Sequence, residues 1–214
     1  FSLYFAALWY FWYTPAVYPL KIFVVLLHEA SHALALLATG GIVDHIALDP
    51  AQGGVTMGAG GIDFVTLSAG YLGSLGLGSL LVLGAQSRRI TSRTLLSVVG
   101  GLVLALTVVY VRNAFGMVFG LGFGAGLVVA GRKLPERWSG SLLMALGLTS
   151  VCYAILDIKS DILDRPELRS DARMLAELTG IPTLIWGALW ITVALAAATW
   201  LIRHPFRSID RIER

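Results

Sequence analysis

The sequence predicts an all-α polytopic membrane protein with about six transmembrane helices and a short membrane-associated β-hairpin after the first. Three observations carry this prediction. Of 214 residues, 57% are hydrophobic and a further 24 are Gly, whereas a soluble domain averages about 45–50% on a count that already includes Gly. Charged residues make up only 14%, against about 25% in a soluble domain, so no polar shell covers the apolar excess. The apolar residues also gather into six stretches, each near the length of about 20 residues that crosses a bilayer core as a helix. An ordinary soluble globule and a disordered chain are thereby excluded. The one Cys, Cys152, excludes an internal disulfide scaffold. The net charge of +3 is too small to argue for a nucleic-acid partner.

The six stretches run over 19–40, 63–84, 94–111, 114–131, 139–158 and 183–202. They form one domain, 19–202. Residues 1–18 are crowded with aromatic side chains, from Phe1 and Tyr4 to Tyr13 and Tyr18. Such crowding suits the membrane interface, or the end of a further span cut short. Residues 203–214 form a basic tail. Gly70, Ser74 and Gly78 recur every four residues, as do Gly116, Gly120 and Gly124. Small residues at that spacing line one helix face and let backbones approach closely, which predicts tight helix packing.

Two segments do not span. Residues 41–62 hold Asp44, His45, Asp49, Pro50 and many Gly, but no Lys or Arg. Short alternating runs flank Pro50–Gly54 and predict the hairpin. Residues 159–182 are the most polar stretch. Ser170 reads as an N-cap, with Gly180 and Pro182 as a stop, so a short helix is expected over about 171–178. Eleven of the Lys and Arg residues, Lys21 and the groups after spans two, four and six, fall on one side, and five fall on the other. The positive-inside rule makes the first side cytoplasmic and puts the hairpin and the 159–182 loop on the far side.

The chemistry lies in the first span. His28-Glu29-Ala30-Ser31-His32 is an H-E-x-x-H pattern in an apolar helix. His28 and His32 are one helical turn apart, so their imidazoles share a face and can hold one Zn²⁺. Glu29 adjoins the first of them, placed to act as general base toward water and then as proton shuttle to a leaving amine. At this composition the pattern arises by chance about twice in a thousand such chains. Ionisable groups inside a span are costly and usually functional, and three occur here in five positions. The competing reading is a hydrogen-bonded polar cluster that holds helices together.

A catalytic zinc normally takes three protein ligands. His45 and His204 are poorly placed, in the polar hairpin and the basic tail. Asp157 and Asp161 lie one turn apart at the end of the fifth span. Asp157 is the deeper and is the expected third ligand. Asp161 is the alternative ligand, or a partner of the ligand. By the charge topology, Asp157 and the two His residues lie on the same side of the bilayer centre.

These residues resemble the site-2 protease type of zinc intramembrane proteases, in its compact branch without an inserted soluble PDZ domain. The resemblance rests on residues 25–33 around the His-Glu motif, the Gly-rich stretch 41–61 and Ser68–Ser74. It extends to Asp157–Asp161, Ser170-Asp171-Ala172 and Thr179–Pro182, and so covers most of residues 20–190. It implies zinc held by His28, His32 and Asp157, Glu29 as the catalytic base, and a membrane-embedded hairpin. A free hairpin edge can pair with an unwound substrate segment by β-augmentation. A plain re-entrant loop plugging the bundle is the competing reading of 41–62. Asn113 is similar to an Asn that donates a hydrogen bond to the substrate or oxyanion in related proteases, although Arg112-Asn113 also reads as a tight turn at the membrane surface. Two features depart from the better-known members. Asp157 is followed by Ile158 rather than Gly, and the charge count puts the site on the far side rather than near the cytoplasm. Asp171 most simply favours a helix N-terminus.

The expected activity is zinc-dependent hydrolysis of peptide bonds in membrane-spanning or juxtamembrane substrates. The alternative is a non-proteolytic zinc-binding membrane protein that binds or chaperones transmembrane helices. A solute transporter would need an internal repeat, and none is visible. The partners expected are a membrane protein or peptide substrate and the lipid bilayer. Oligomeric state is open.

Overall fold

The structure is a computed structural model that describes residues 14–159 and 169–203, together with Tyr4, Ala6, Leu8, Tyr10, Phe11 and Ile162. Its elements in chain order are helix α1 (Tyr18–Ala38), strands β1 (Ile42–Asp49) and β2 (Gly53–Ala59), then helices α2 (Asp63–Ala85), α3 (Ser92–Tyr110), α4 (Ala114–Lys133), α5 (Glu136–Lys159), α6 (Asp171–Thr179) and α7 (Thr183–Arg203). All these helices except α6 contain a stretch long and apolar enough to cross a membrane, which makes six spans. They coincide with the six predicted stretches to within a few residues.

The spans are not equivalent. In α1 and α5, 67% and 61% of the apolar window is buried within the protein, against 28–39% in the other four. α1 and α5 are therefore the interior helices, and the others face lipid on one side. This explains why α1 is apolar all round and yet carries polar groups. It is sheathed by protein, so its ionisable side chains meet other side chains rather than acyl chains.

Small residues set the helix contacts. The buried face of α4 is Gly116, Gly120, Gly124, Leu127 and Gly131, and Gly124 meets the backbone of Gly100 on α3. Gly78 of α2 and Gly147 of α5 cross backbone to backbone in the same way. Both stripes do the packing expected of them, with one exception at Gly70, described below. At the basic end of the bundle, the Glu136 carboxylate accepts from the N–H groups of Ser92 and Arg93 at 2.5 and 3.3 Å. Arg93 in turn donates to the carbonyls of Gly131 and Arg132. A side chain of α5 thus satisfies orphan N–H groups at the start of α3, and a side chain of α3 satisfies orphan carbonyls at the end of α4.

The hairpin forms where the alternation predicts it. β1 and β2 are antiparallel, in register from Ile42↔Ala59 to Asp49↔Gly53, with an irregularity between Val43 and His45. The Asp49 side chain accepts from the Ala51 N–H at 2.7 Å, and Gln52 takes the left-handed conformation that a three-residue hairpin loop requires. Ile46 and Leu48 are fully buried, which seats β1 against the bundle. The free side of β1 does not face solvent. The α3–α4 connection runs along it in parallel, with a bridge Ile46↔Val111 and the Arg112 N–H donating to the Ile46 carbonyl at 3.1 Å. β2 is left as the outer strand.

α6 also forms as read from its caps. Ser170 accepts from the Arg173 N–H, and Gly180 ends the helix in the left-handed conformation. α6 packs on α2 and α7 through Ala172 and Leu175, beside Tyr71, Trp186 and Trp190.

Candidate metal centre

His28 is the middle residue of α1, about 15 Å of helix from either end. One turn later, His32 presents its ring on the same face. The two imidazole rings sit 4.7 Å apart, nearly perpendicular. The His28 Nε2 lies 2.9 Å from Asp171 Oδ2, and the His32 Nε2 lies 3.1 Å from the same oxygen. The candidate ligand atoms of His28, His32 and Asp171 all lie within 4.8 Å of one another. Each ring is fixed. His32 Nδ1 is 2.7 Å from the Thr66 carbonyl. A carbonyl only accepts, so Nδ1 carries a proton, and Nε2 is the atom that faces Asp171 and would bind an ion. Tyr71 packs edge-on against His28, with centroids 5.0 Å apart.

Asp171 is the first residue of α6, after its N-cap. Burial alone would raise its pKa, but the two imidazoles against it hold the carboxyl well below the usual carboxylate range. Glu29 is 4% exposed. Its Oε2 accepts from the Thr56 hydroxyl of β2 at 2.8 Å, and the same hydroxyl lies 2.9 Å from the Glu29 carbonyl. β2 comes this close because Gly54 has no side chain. A Cβ there would stand 2.7 Å from Glu29 Oε1.

Two imidazoles and a carboxylate are a zinc donor set. Tetrahedral bonds of 2.0–2.1 Å place ligand atoms about 3.3 Å apart, close to the separations at Asp171 Oδ2. These residues fit the metal. They open onto a cavity of about 330 Å³, lined on one side by Gly53, Gly54, Val55 and Thr56 of β2. Val25, Leu67, Tyr71 and Met174 give it an apolar wall.

Residues 1–201 match the Peptidase M50B-like family. The chain belongs to this family. It is the site-2 protease type that the motifs resemble, and it is a family of integral membrane metalloproteases. No curated protein and no solved structure matches the sequence.

Two of the expected site residues, Asp157 and Asn113, lie differently from His28 and His32. Asp157, the expected third ligand, lines the same cavity and acts electrostatically on His28. It therefore lies beside the two His residues rather than at the other end of the bundle. Among the described residues, however, the carboxylate that converges with both rings belongs to Asp171 and not to Asp157. The reason is geometric. Asp157 belongs to α5, packed alongside the site, whereas α6 folds back over it and points its N-terminus at the two rings. Asp161 lies outside the described residues. Asn113 is not among the cavity-lining residues. Its side-chain amide copies a peptide group, donating to the Leu48 carbonyl at 2.7 Å and accepting from the Leu48 N–H at 3.1 Å. It completes the three-strand edge begun by Val111 and holds the hairpin in place. Asn113→Ala leaves both backbone groups of buried Leu48 unpaired, and is expected to destabilise the protein by about 2–4 kcal/mol. Thermal denaturation in detergent micelles checks this.

Thr56, Thr66, Gly54, Gly70 and Tyr71 were not singled out as site residues from the sequence. Gly54, Thr56, Gly70 and Tyr71 lie in stretches that carry the family resemblance, but nothing local says which of them faces the metal centre, and the Gly residues read there as helix packing or turn chemistry. Asp171 left a signal as well, since Ser170-Asp171 marks a helix start, but nothing local says what that start points at.

Proposed function

We propose that the protein is a zinc-dependent intramembrane endopeptidase, which hydrolyses peptide bonds of membrane-spanning or juxtamembrane substrates. The observation that carries this reading is the meeting of His28 Nε2, His32 Nε2 and Asp171 Oδ2 at one point. Glu29 is the adjoining residue, and the site lies at the middle of an interior span.

His28, His32 and Asp171 would hold the ion. Zinc supplies a Lewis acid there, one that acidifies water and polarises a peptide carbonyl. Glu29 takes a proton from the attacking water and delivers it to the amine that leaves. Thr56 orients the Glu29 carboxylate by occupying one oxygen and leaving the other for that proton.

The substrate's own helix is an obstacle, because its peptide bonds are buried in the i→i−4 ladder. Unwinding it in the bilayer leaves its backbone polar groups without partners. The outer edge of β2 supplies partners of the right kind, so an unwound segment lies along β2 by β-augmentation, with its backbone next to Glu29. Val25, Leu67, Tyr71 and Met174 receive an apolar side chain beside the bond to be cut.

The test uses the purified full chain in detergent. One zinc per chain is expected. Chelation should abolish cleavage of a transmembrane peptide, and added zinc should restore it. A chain that takes up no zinc, or that cleaves equally after chelation, would overturn the reading.

A further inference from the structure

We infer that Gly70 is a positioning residue of the metal centre: the lack of a side chain at this place on α2 leaves the space in which the two imidazole nitrogens and the Asp171 carboxylate converge. This rests on the zinc reading above and goes beyond it, to a residue that touches neither water nor substrate.

Gly70 heads the stripe that continues through Ser74 and Gly78, but its neighbours differ in kind. A Cβ at Gly78 would meet Ser150 and the backbone of Gly147 on α5, as at an ordinary helix crossing. A Cβ at Gly70 would instead stand closer than 3.0 Å to His28 Nε2, His32 Nε2 and His28 Cε1. A methyl group would therefore occupy the space between the two ring nitrogens, which is the ion's place.

The rings cannot retreat, because α2 itself holds both. Thr66, one turn before Gly70, fixes His32 through its carbonyl at 2.7 Å. Tyr71, the next residue, fixes His28 edge-on at 5.0 Å. The same helix surface that fastens the rings would carry the intruding methyl. Any substitution must push the imidazoles apart or push α2 away from them. Either change separates ligand atoms whose bonds to zinc tolerate only a few tenths of an ångström.

Zinc affinity and fold stability test this together. Gly70→Ala is expected to weaken zinc binding by at least 100-fold. Gly76→Ala, on the same helix with open space around its Cβ, is expected to bind like wild type. Equal affinity in Gly70→Ala and wild type overturns the inference and leaves the zinc reading intact. A wild type that binds no zinc overturns both.

A metal-free double-mutant cycle gives a second readout. In the otherwise native chain, Gly70→Ala should lower the thermal midpoint. In a His28→Ala/His32→Ala background it should leave the midpoint unchanged or raise it, because Ala is the better helix former and the collision is gone. The same loss in both backgrounds overturns the inference. Should Gly70→Ala alone not fold, the triple variant decides: folding supports the inference, and failure to fold overturns it.

Discussion

Asp171→Ala should lower zinc affinity by more than about 100-fold, whereas Asp157→Ala should change it by less than about tenfold. The magnitude follows from what is removed. Loss of a residue that only supports a ligand typically weakens a metal by 10–100-fold, so loss of one of three protein ligands must exceed that range. A factor of 100 corresponds to about 2.7 kcal/mol. Asp157 shares the cavity and acts on His28 electrostatically, but it does not converge with both rings.

Asp171 also begins a helix, so part of any effect could come from loss of the charge at the N-terminus of α6, worth about 0.3–1 kcal/mol. Asp171→Asn separates the two contributions. The amide keeps the side chain's shape and a cap-compatible oxygen, but it loses the anionic donor. Asn should therefore restore the docking of α6, read by hydrogen exchange of residues 171–179, without restoring zinc. Isothermal titration with zinc on the three purified variants gives the ranking. If Asp157→Ala loses the metal and Asp171→Ala keeps it, the ligand assignment is reversed.

The difference between these two carboxylates shows what the sequence could and could not carry. The spans were legible because bilayer thickness imposes one length on each of them. His28, Glu29 and His32 were legible because they lie within a single turn, where helix geometry alone brings them together. The hairpin and α6 were legible from alternation and from caps, which are also local. The carboxylate that meets both rings is not local, since Asp171 lies 143 positions from His28. Its partnership depends on how α6 folds back across α2, and no spacing rule spans that distance. Asp157 was attractive for a local reason, as a charge at the end of an apolar run, and it does reach the cavity. Asn113 is a similar case. Its polarity between two spans was legible, but its register against Leu48 arises only when the α3–α4 connection lies along β1. Gly70 and Gly54 are the extreme case. Each matters for an atom it lacks, and which neighbour fills that space is known only from tertiary contact.

Glu29→Gln should keep zinc within a few-fold of wild type and lower the cleavage rate by about 10²–10⁴-fold, the usual contribution of a positioned general base. The substitution is nearly isosteric. Gln can still accept from the Thr56 hydroxyl, so the contact between α1 and β2 survives, and Gln52–Thr56 should keep its place along the cavity. What Gln cannot do is accept the proton from water. The defect should fall on kcat, with substrate binding unchanged, because the β2 edge and the apolar wall are untouched. Thr56→Val gives a smaller effect of the same kind. It leaves the carboxylate able to take a proton but removes the hydrogen bond that orients it, so its rate should fall between those of Glu29→Gln and wild type. The Glu29→Gln comparison also divides an enzyme from a protein that only binds transmembrane segments. Such a binder uses the ion, the cavity and the strand edge but has no use for a base at position 29, so its function would survive Glu29→Gln intact. A purified Glu29→Gln protein that cleaves a transmembrane peptide as fast as wild type would remove Glu29 from the chemistry. Loss of cleavage with zinc and substrate still bound would leave it no other role.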